Sequence, residues 1–140
     1  MPAPRTHLLM VVMLWLAVAC SPSEVSFKHD IDPILQKNCA VCHAQGSAGH
    51  SASGFSVVTY QDVMKGTKYG SVINPGSSIS STLVQLIQHK ADASINMPKR
   101  YTVFVQNHQE HAVPSMDARS LSDSDIDLIV RWIDQGAKNN

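Results

Sequence analysis

The feature that most constrains this chain is the run Cys39-Ala40-Val41-Cys42-His43, which has the spacing C-x-x-C-H. That spacing is the signature of c-type haem attachment. The two thiols add across the vinyl groups of the haem as thioethers, and the adjacent imidazole becomes a ligand of the iron. The two intervening residues set the thiols at the separation of the vinyls. The motif therefore predicts a chain that folds around a porphyrin.

Three other interpretations of the motif are a thioredoxin-type redox pair, a structural zinc site and a chance match. A redox pair is expected beside a βαβ pattern, and no such pattern surrounds Cys39 and Cys42. A structural zinc ion takes four ligands, commonly from a second C-x-x-C or an H-x-x-x-H partner. The chain has three cysteines, and the remaining one is Cys20. We therefore favour haem attachment.

The first residues have the pattern of an export signal. A short segment with Arg5 precedes an uninterrupted apolar run over residues 8–18. This run is too short to cross a bilayer comfortably, but it suits the apolar centre of a signal peptide. We expect residues 1–19 to be a signal peptide, residues 20–26 a lipidated tether and residues 27–140 a single domain.

The signal ends in a possible site of lipid attachment. Residues 16–20, LAVAC, resemble the lipobox of bacterial lipoproteins, in which the cysteine carries lipid and the leader is cut before it. Ala17 stands where leucine is commonest, so an ordinary signal that leaves Cys20 unmodified is the alternative. Two or three acyl chains on Cys20 would hold the protein stably on a membrane. By the same resemblance, Ser21 implies the outer membrane, with the protein on the periplasmic side.

The cysteine count and the charge fit both assignments. One cysteine is assigned to lipid and two to haem, so no cysteine is left to form an unwanted disulfide in an oxidising compartment. Haem is attached to this motif outside the bacterial cytoplasm, where the leader would send the chain. Lys and Arg number 11, as do Asp and Glu, and the formal net charge is zero at pH 7. No basic run or basic-aromatic patch argues for a nucleic-acid partner.

Hydrophobic spacing predicts a first helix before the motif and a last helix near the end. Phe27 and the apolar residues that follow it recur at helical spacing, and Pro33 is tolerated only in a first turn, so helix should begin near Asp32. The last helix has Ser122 as its N-cap and Gly136 as its stop. Its apolar stripe consists of Ile126, Ile129, Val130 and Ile133, with Trp132 beside it.

The segments between these helices are predicted to be shorter and less regular. Gly, Ser and Ala dominate residues 44–54, which predicts a loop with a solvated His50. Further helices are expected from Thr59 or Tyr60 to Lys65, and after a cap at Ser80 or Ser81. Alternating apolar residues from Tyr101 to Val105 predict a short strand.

With these elements placed, the chain resembles the monohaem c-type cytochrome domains of bacteria, including the planctomycete-type group. The similar stretches are residues 27–35, 39–43, Pro75-Gly76 with Ser81-Thr82-Leu83, Met97-Pro98, residues 121–126 and residues 132–137. The resemblance implies an all-α cytochrome c fold, with three to five short helices around one covalent haem. It also implies that the first and last helices cross and bring Phe27 and Trp132 together.

The resemblance further implies His43 as one axial ligand, with its other ring N–H donated to a backbone carbonyl, and a methionine as the second. In the family that methionine is often followed by proline and precedes the last helix by a few residues. Here Met97 has the proline, whereas Met116 has the right distance to the helix. We favour Met97, with Met116 as the alternative. His108, His111 or an open position are further possibilities.

The expected function is electron transfer, with no enzymatic activity. A cytochrome of this kind exposes a haem edge to redox partner proteins through a small interface. Lys37, Lys99 and Arg100 are candidates for contact with an acidic partner. A subunit that delivers electrons to one particular enzyme would have the same sequence features.

A different function would follow from an open sixth position on the iron. The chain would then be a haem sensor or a peroxidase-like enzyme. His108, Glu110 and His111 are the residues that could do acid–base work over such a position.

Overall fold

The computed structural model describes residues 23–106, 109–115 and 121–140, with backbone alone for residues 100–106 and 109–115. The expected signal peptide (1–19), Cys20, His108 and Met116 lie outside the described residues. The expected boundaries between signal peptide, tether and domain stay predictions.

The chain before and within the haem motif forms three consecutive helical segments. A π-helical turn, Phe27–Ile31, leads into α1, Asp32–Asn38, and Cys39 separates α1 from the single turn α2, Ala40–His43. The expected start near Asp32 is confirmed, and Pro33 occupies the first turn, where its missing N–H costs no helical hydrogen bond.

The next segment contains a helix that the sequence analysis did not predict. Residues 44–54 were expected to be a loop, but Ala48–Ser53 forms α3. The helix ends at Gly54, whose φ of 78° is a left-handed conformation that suits glycine as a helix stop. His50 lies within α3, half-buried, and its Nδ1 accepts a hydrogen bond from the Gly46 N–H at 3.3 Å. The expectation of a loop was therefore wrong, whereas His50 remains partly exposed to solvent.

Two further helices follow as expected. Helix α4, Tyr60–Lys65, begins after Thr59, whose side chain accepts a hydrogen bond from the Asp62 N–H. Helix α5, Thr82–Ile87, follows a 3₁₀ turn, Ser78–Ser80. Ser81 precedes α5 but does not cap it through its side chain. Its buried hydroxyl instead bonds to the backbone of the preceding turn, accepting from the Asn74 N–H at 2.9 Å.

A β-hairpin separates α5 from the last helix. Strand β1, Arg100–Gln106, contains the expected strand, and it pairs antiparallel with β2, Gln109–Ser115, which was not predicted. The register runs from Arg100 opposite Ser115 to Gln106 opposite Gln109.

The last helix, α6, Asp123–Asp134, has Ser122 as its N-cap, and the Ser122 hydroxyl accepts from the Asp125 N–H at 3.2 Å. In the described part of the chain, the α-helices number six, because α2 and α3 form separate short helices. The all-α class is confirmed for the packed body of the domain, to which the hairpin is an addition.

The core is built where the first turn meets the last helix. The Phe27 and Trp132 ring centroids are 5.4 Å apart, which confirms the expected contact. Tyr60 packs edge-on against Phe27 at 5.1 Å, and its hydroxyl donates to the Ala137 carbonyl. The most deeply buried side chains of the domain include Trp132, Ile31, Leu35, Ile129 and Ile133. Within the described ranges, no helix is both long enough and apolar enough to cross a membrane.

Candidate haem site

The helices surround a cavity of about 450 Å³, a volume within the usual range for cofactor pockets. Cys39, Cys42, His43 and Met97 all line this cavity. The rest of its wall is mostly apolar and includes Ala48, Ala52, Phe55, Val72, Leu83, Leu86, Ile87 and Leu121. The structure therefore brings together the four residues that the sequence analysis selected as the haem site.

The motif presents its functional residues on one side of a helical turn. The N–H groups of Cys42 and His43 both donate to the Cys39 carbonyl, at 3.1 and 2.9 Å. Residues three and four positions apart on such a turn share a face, so the two thiols and the imidazole point the same way. Val41 lies at the rim of the cavity and is 81% exposed. Cys39 and Cys42 are not joined to each other by a disulfide.

The Cys39 thiol lies in an apolar environment that favours a neutral group. Burial, together with the nearby Cys42, raises the pKa of Cys39 to about 11. A protonated thiol is thus the stable form at neutral pH. A thioether at the same position is also neutral, so the wall of the cavity suits either state.

The His43 ring is held so that one nitrogen stays free. Its Nδ1 lies 3.2 Å from the Phe55 carbonyl oxygen, to which a neutral imidazole donates its N–H. Burial lowers the pKa of His43, which keeps the ring neutral. The lone pair of a neutral imidazole then lies on Nε2, the form that binds a metal. The carbonyl partner expected for His43 is that of Phe55.

Phe55 itself is fixed by the segment that follows α3. The Val57 N–H donates to the His43 carbonyl at 3.0 Å, and the Gln36 side chain donates to the Val57 carbonyl at 2.8 Å. This segment therefore runs directly beside the motif. The Phe55 ring also packs edge-on against the His43 ring, with centroids 5.3 Å apart. Nothing in the sequence pattern indicated this contact between Phe55 and His43.

Met97 reaches the cavity from the end of α5. Its N–H donates to the Leu86 carbonyl at 3.1 Å, and its carbonyl lies 3.0 Å from Nε2 of His89. The side chain is half-buried on the cavity wall. Because Met116 lies outside the described residues, the choice between the two methionines stays a prediction.

The candidate docking cations differ in their surroundings. Lys37 is exposed, whereas Lys99 lines the cavity and donates to the Ser94 carbonyl. Arg100 begins β1. Lys99 lies just before the hairpin, Leu121 lies after it, and both line the cavity. The segment that contains the hairpin therefore begins and ends at the cavity wall.

Comparison with known families indicates which cofactor suits this cavity. The family model of planctomycete cytochrome c matches residues 39–100, from the first cysteine of the motif to the start of β1. The chain thus has a cytochrome c-like domain, which is similar to the planctomycete type over residues 39–100. This similarity implies a covalently bound c-type haem and haem-based electron transfer or a related function. The two cysteine side chains, the neutral imidazole and the apolar wall fit that cofactor.

A curated relative of the cytochrome domain is the alpha subunit of hydrazine synthase from Kuenenia stuttgartiensis. It is 25% identical over 130 residues, a match that covers 81% of this chain and 15% of the subunit. The chain thus spans a small part of a much longer enzyme subunit. No solved structure matches the chain at a significant level.

Proposed function

We propose that this protein is an electron carrier on the periplasmic side of a bacterial membrane, with one covalent haem ligated by His43 and Met97. The observation that carries the proposal is the apolar cavity that Cys39, Cys42, His43 and Met97 line together. They would supply the two attachment thiols and a pair of axial ligands. Cys39, Cys42 and His43 come from one motif, whereas Met97 comes from a later segment of the chain.

Cys39 and Cys42 would fasten the haem, and His43 would supply Nε2 to the iron. When bound, the haem provides a metal centre that gains and loses one electron reversibly. The Phe55 carbonyl orients the imidazole and increases its basicity through the hydrogen bond at Nδ1. The same bond keeps the ring from turning when the charge at the metal changes.

Met97 would complete the axial pair with a soft, neutral sulfur. A thioether ligand favours ferrous over ferric iron and so raises the reduction potential. The apolar wall acts in the same direction, because low polarity penalises the more highly charged ferric form. Ligands that stay in place in both oxidation states keep the reorganisation energy small, which suits rapid electron transfer.

Electrons would pass at the rim of the cavity, where Val41 is exposed. Electron-transfer complexes use small interfaces that form and separate quickly. Lys37, Lys99 and Arg100 would attract an acidic redox partner to this region. Attachment of lipid to Cys20 would hold the protein near partners at the membrane, in the outer membrane by the resemblance at residue 21.

A second candidate is a haem enzyme, a sensor or a dedicated enzyme subunit with an open sixth position. The similarity to an enzyme subunit favours it. In this alternative Met97 does not bind the iron, and a small ligand or substrate takes its place.

The spin state of the ferric protein separates these functions. The full chain should be produced with a functioning haem-attachment apparatus and its spectrum recorded at neutral pH. The carrier is expected to be low-spin, with the weak far-red band of a sulfur–iron bond and slow cyanide binding. A high-spin spectrum with rapid cyanide binding would contradict the carrier and favour the second candidate.

A further inference from the structure

Gly49, the second residue of α3, lies against the haem-binding motif. A Cβ atom placed on Gly49 would be 2.5 Å from the Cys42 carbonyl oxygen and 3.0 Å from Cε1 of His43. The first distance is shorter than real Cβ contacts allow, and the neighbour is backbone. No side chain larger than hydrogen fits here unless α3 or the motif moves.

The backbone conformation of Gly49 does not itself require glycine. Its φ is helical, unlike those of Gly46 and Gly54, which are 84° and 78°. Glycine is also the poorest helix former after proline. The close approach of α3 to Cys42 and His43 is therefore the physical reason that this position must lack a side chain.

The imidazole of His43 is consequently confined from two directions. At Nδ1 it is held by the Phe55 carbonyl, and at Cε1 it faces the backbone of Gly49. Because Cε1 is bonded to both ring nitrogens, a displacement there moves Nδ1 and Nε2 together. The contact with α3 therefore affects both the hydrogen bond and the nitrogen available to the iron.

We propose that Gly49 is a positioning residue for the axial imidazole. Its missing side chain lets α3 pack against the Cε1 edge of His43, which fixes the plane of the ring relative to the haem. The inference rests on the proposed function, since it assigns a purpose to the contact only if His43 binds haem iron.

A methyl group at position 49 should press on the Cε1 edge and strain the bond between Nδ1 and the Phe55 carbonyl. A weaker hydrogen bond makes the imidazole a poorer donor to the metal. A strongly donating imidazole stabilises ferric iron more than ferrous iron, so a weaker donor favours the ferrous form. Gly49→Ala should therefore raise the reduction potential and rotate the ring.

The test compares Gly49→Ala with Ser51→Ala in the haem-bearing full chain. Ser51 is exposed on the same helix, and alanine is a better helix former than either residue replaced. A purely structural effect on α3 would thus act similarly in both variants. Proton NMR of the ferric protein reports the ring plane through the spread of the four haem-methyl shifts, and a redox titration gives the potential.

We expect Gly49→Ala to change the haem-methyl pattern and raise the potential, and Ser51→Ala to match the unaltered protein in both. A haem-bearing Gly49→Ala protein with the unaltered pattern and potential would overturn the proposal. If the unaltered protein carries no haem, the proposed function fails instead, which is a distinguishable result.

A second variant keeps the test decisive if Gly49→Ala yields no holoprotein. The Ser47 hydroxyl shares its proton between the Cys42 carbonyl, the group that Gly49 faces, and the Ala44 carbonyl, which is 2.7 Å away. Ser47→Ala frees the Cys42 carbonyl to move relative to α3. We therefore expect the haem-methyl pattern to change, by less than is expected for Gly49→Ala. An unchanged pattern in Ser47→Ala would then overturn the proposal.

Discussion

Trp132 packs against Phe27 with ring centroids 5.4 Å apart, and this contact joins the turn before α1 to α6. The Trp132 indole is 1% exposed, and its Nε1 donates to the Lys138 carbonyl at 2.9 Å. The pair therefore connects the two ends of the described domain.

Replacement of Trp132 by alanine should destabilise the domain strongly. Loss of a large buried aromatic side chain costs about 3–5 kcal/mol in the free energy of unfolding. Chemical denaturation followed by circular dichroism measures the change. Tyr69→Ala is the matched control, because Tyr69 is 84% exposed and its removal should alter stability by no more than about 0.5 kcal/mol. Equal effects in the two variants would contradict the described core.

Simultaneous replacement of Cys39 and Cys42 by alanine should abolish covalent haem attachment. Each thiol supplies one thioether, and without both thiols no bond survives denaturation. Haem staining of a denaturing gel, with acid-acetone extraction, measures this loss. The control is Cys20→Ser, which should keep its stained band because Cys20 lies outside the motif. A stained band in the double variant would show that the haem is attached elsewhere.

Replacement of Met97 by alanine should remove the far-red sulfur–iron band and lower the reduction potential. The thioether favours ferrous iron, so its loss removes that preference. Met64→Ala is a matched control, since Met64 packs against the core and does not line the cavity. Met116→Ala tests the alternative ligand directly. Loss of the band in Met116→Ala, with retention in Met97→Ala, would reverse the assignment.

Replacement of Cys20 by serine should release the protein from membranes and leave its haem spectrum unchanged. Serine cannot carry the thioether-linked lipid, and a tether without acyl chains has no stable hold on a bilayer. Cell fractionation followed by haem staining measures the distribution. If Cys20→Ser still sediments with membranes, the anchor lies elsewhere in the chain or in a bound partner.

Local signals in the sequence predicted much of the helical structure. The Thr59 and Ser122 caps mark the starts of α4 and α6, because an N-cap depends on residues three positions apart in the chain. A cap by the Ser81 side chain was also considered, but the Ser81 hydroxyl does not cap α5. It accepts from the Asn74 N–H and donates to the Ser77 carbonyl, in the turn before the helix. Helix α3 was missed because its Gly and Ser content is typical of loops.

The sequence by itself was enough to predict the chemistry of the candidate site. The C-x-x-C-H motif needs only one helical turn to bring two thiols and an imidazole onto one face, so five consecutive residues specify the haem attachment. The Met97-Pro98 pair likewise marked the methionine that the structure places on the cavity wall.

Only the tertiary structure decided how His43 is held. Its partners are the carbonyl of Phe55, twelve positions along the chain, and the backbone of Gly49 in a helix that local composition concealed. A backbone carbonyl is present at every residue, and a glycine's close contact depends on which helix packs beside it. Neither the bond to the Phe55 carbonyl nor the contact with Gly49 produces a recognisable sequence pattern. Both could therefore be identified only from the packing of the segments in the tertiary structure.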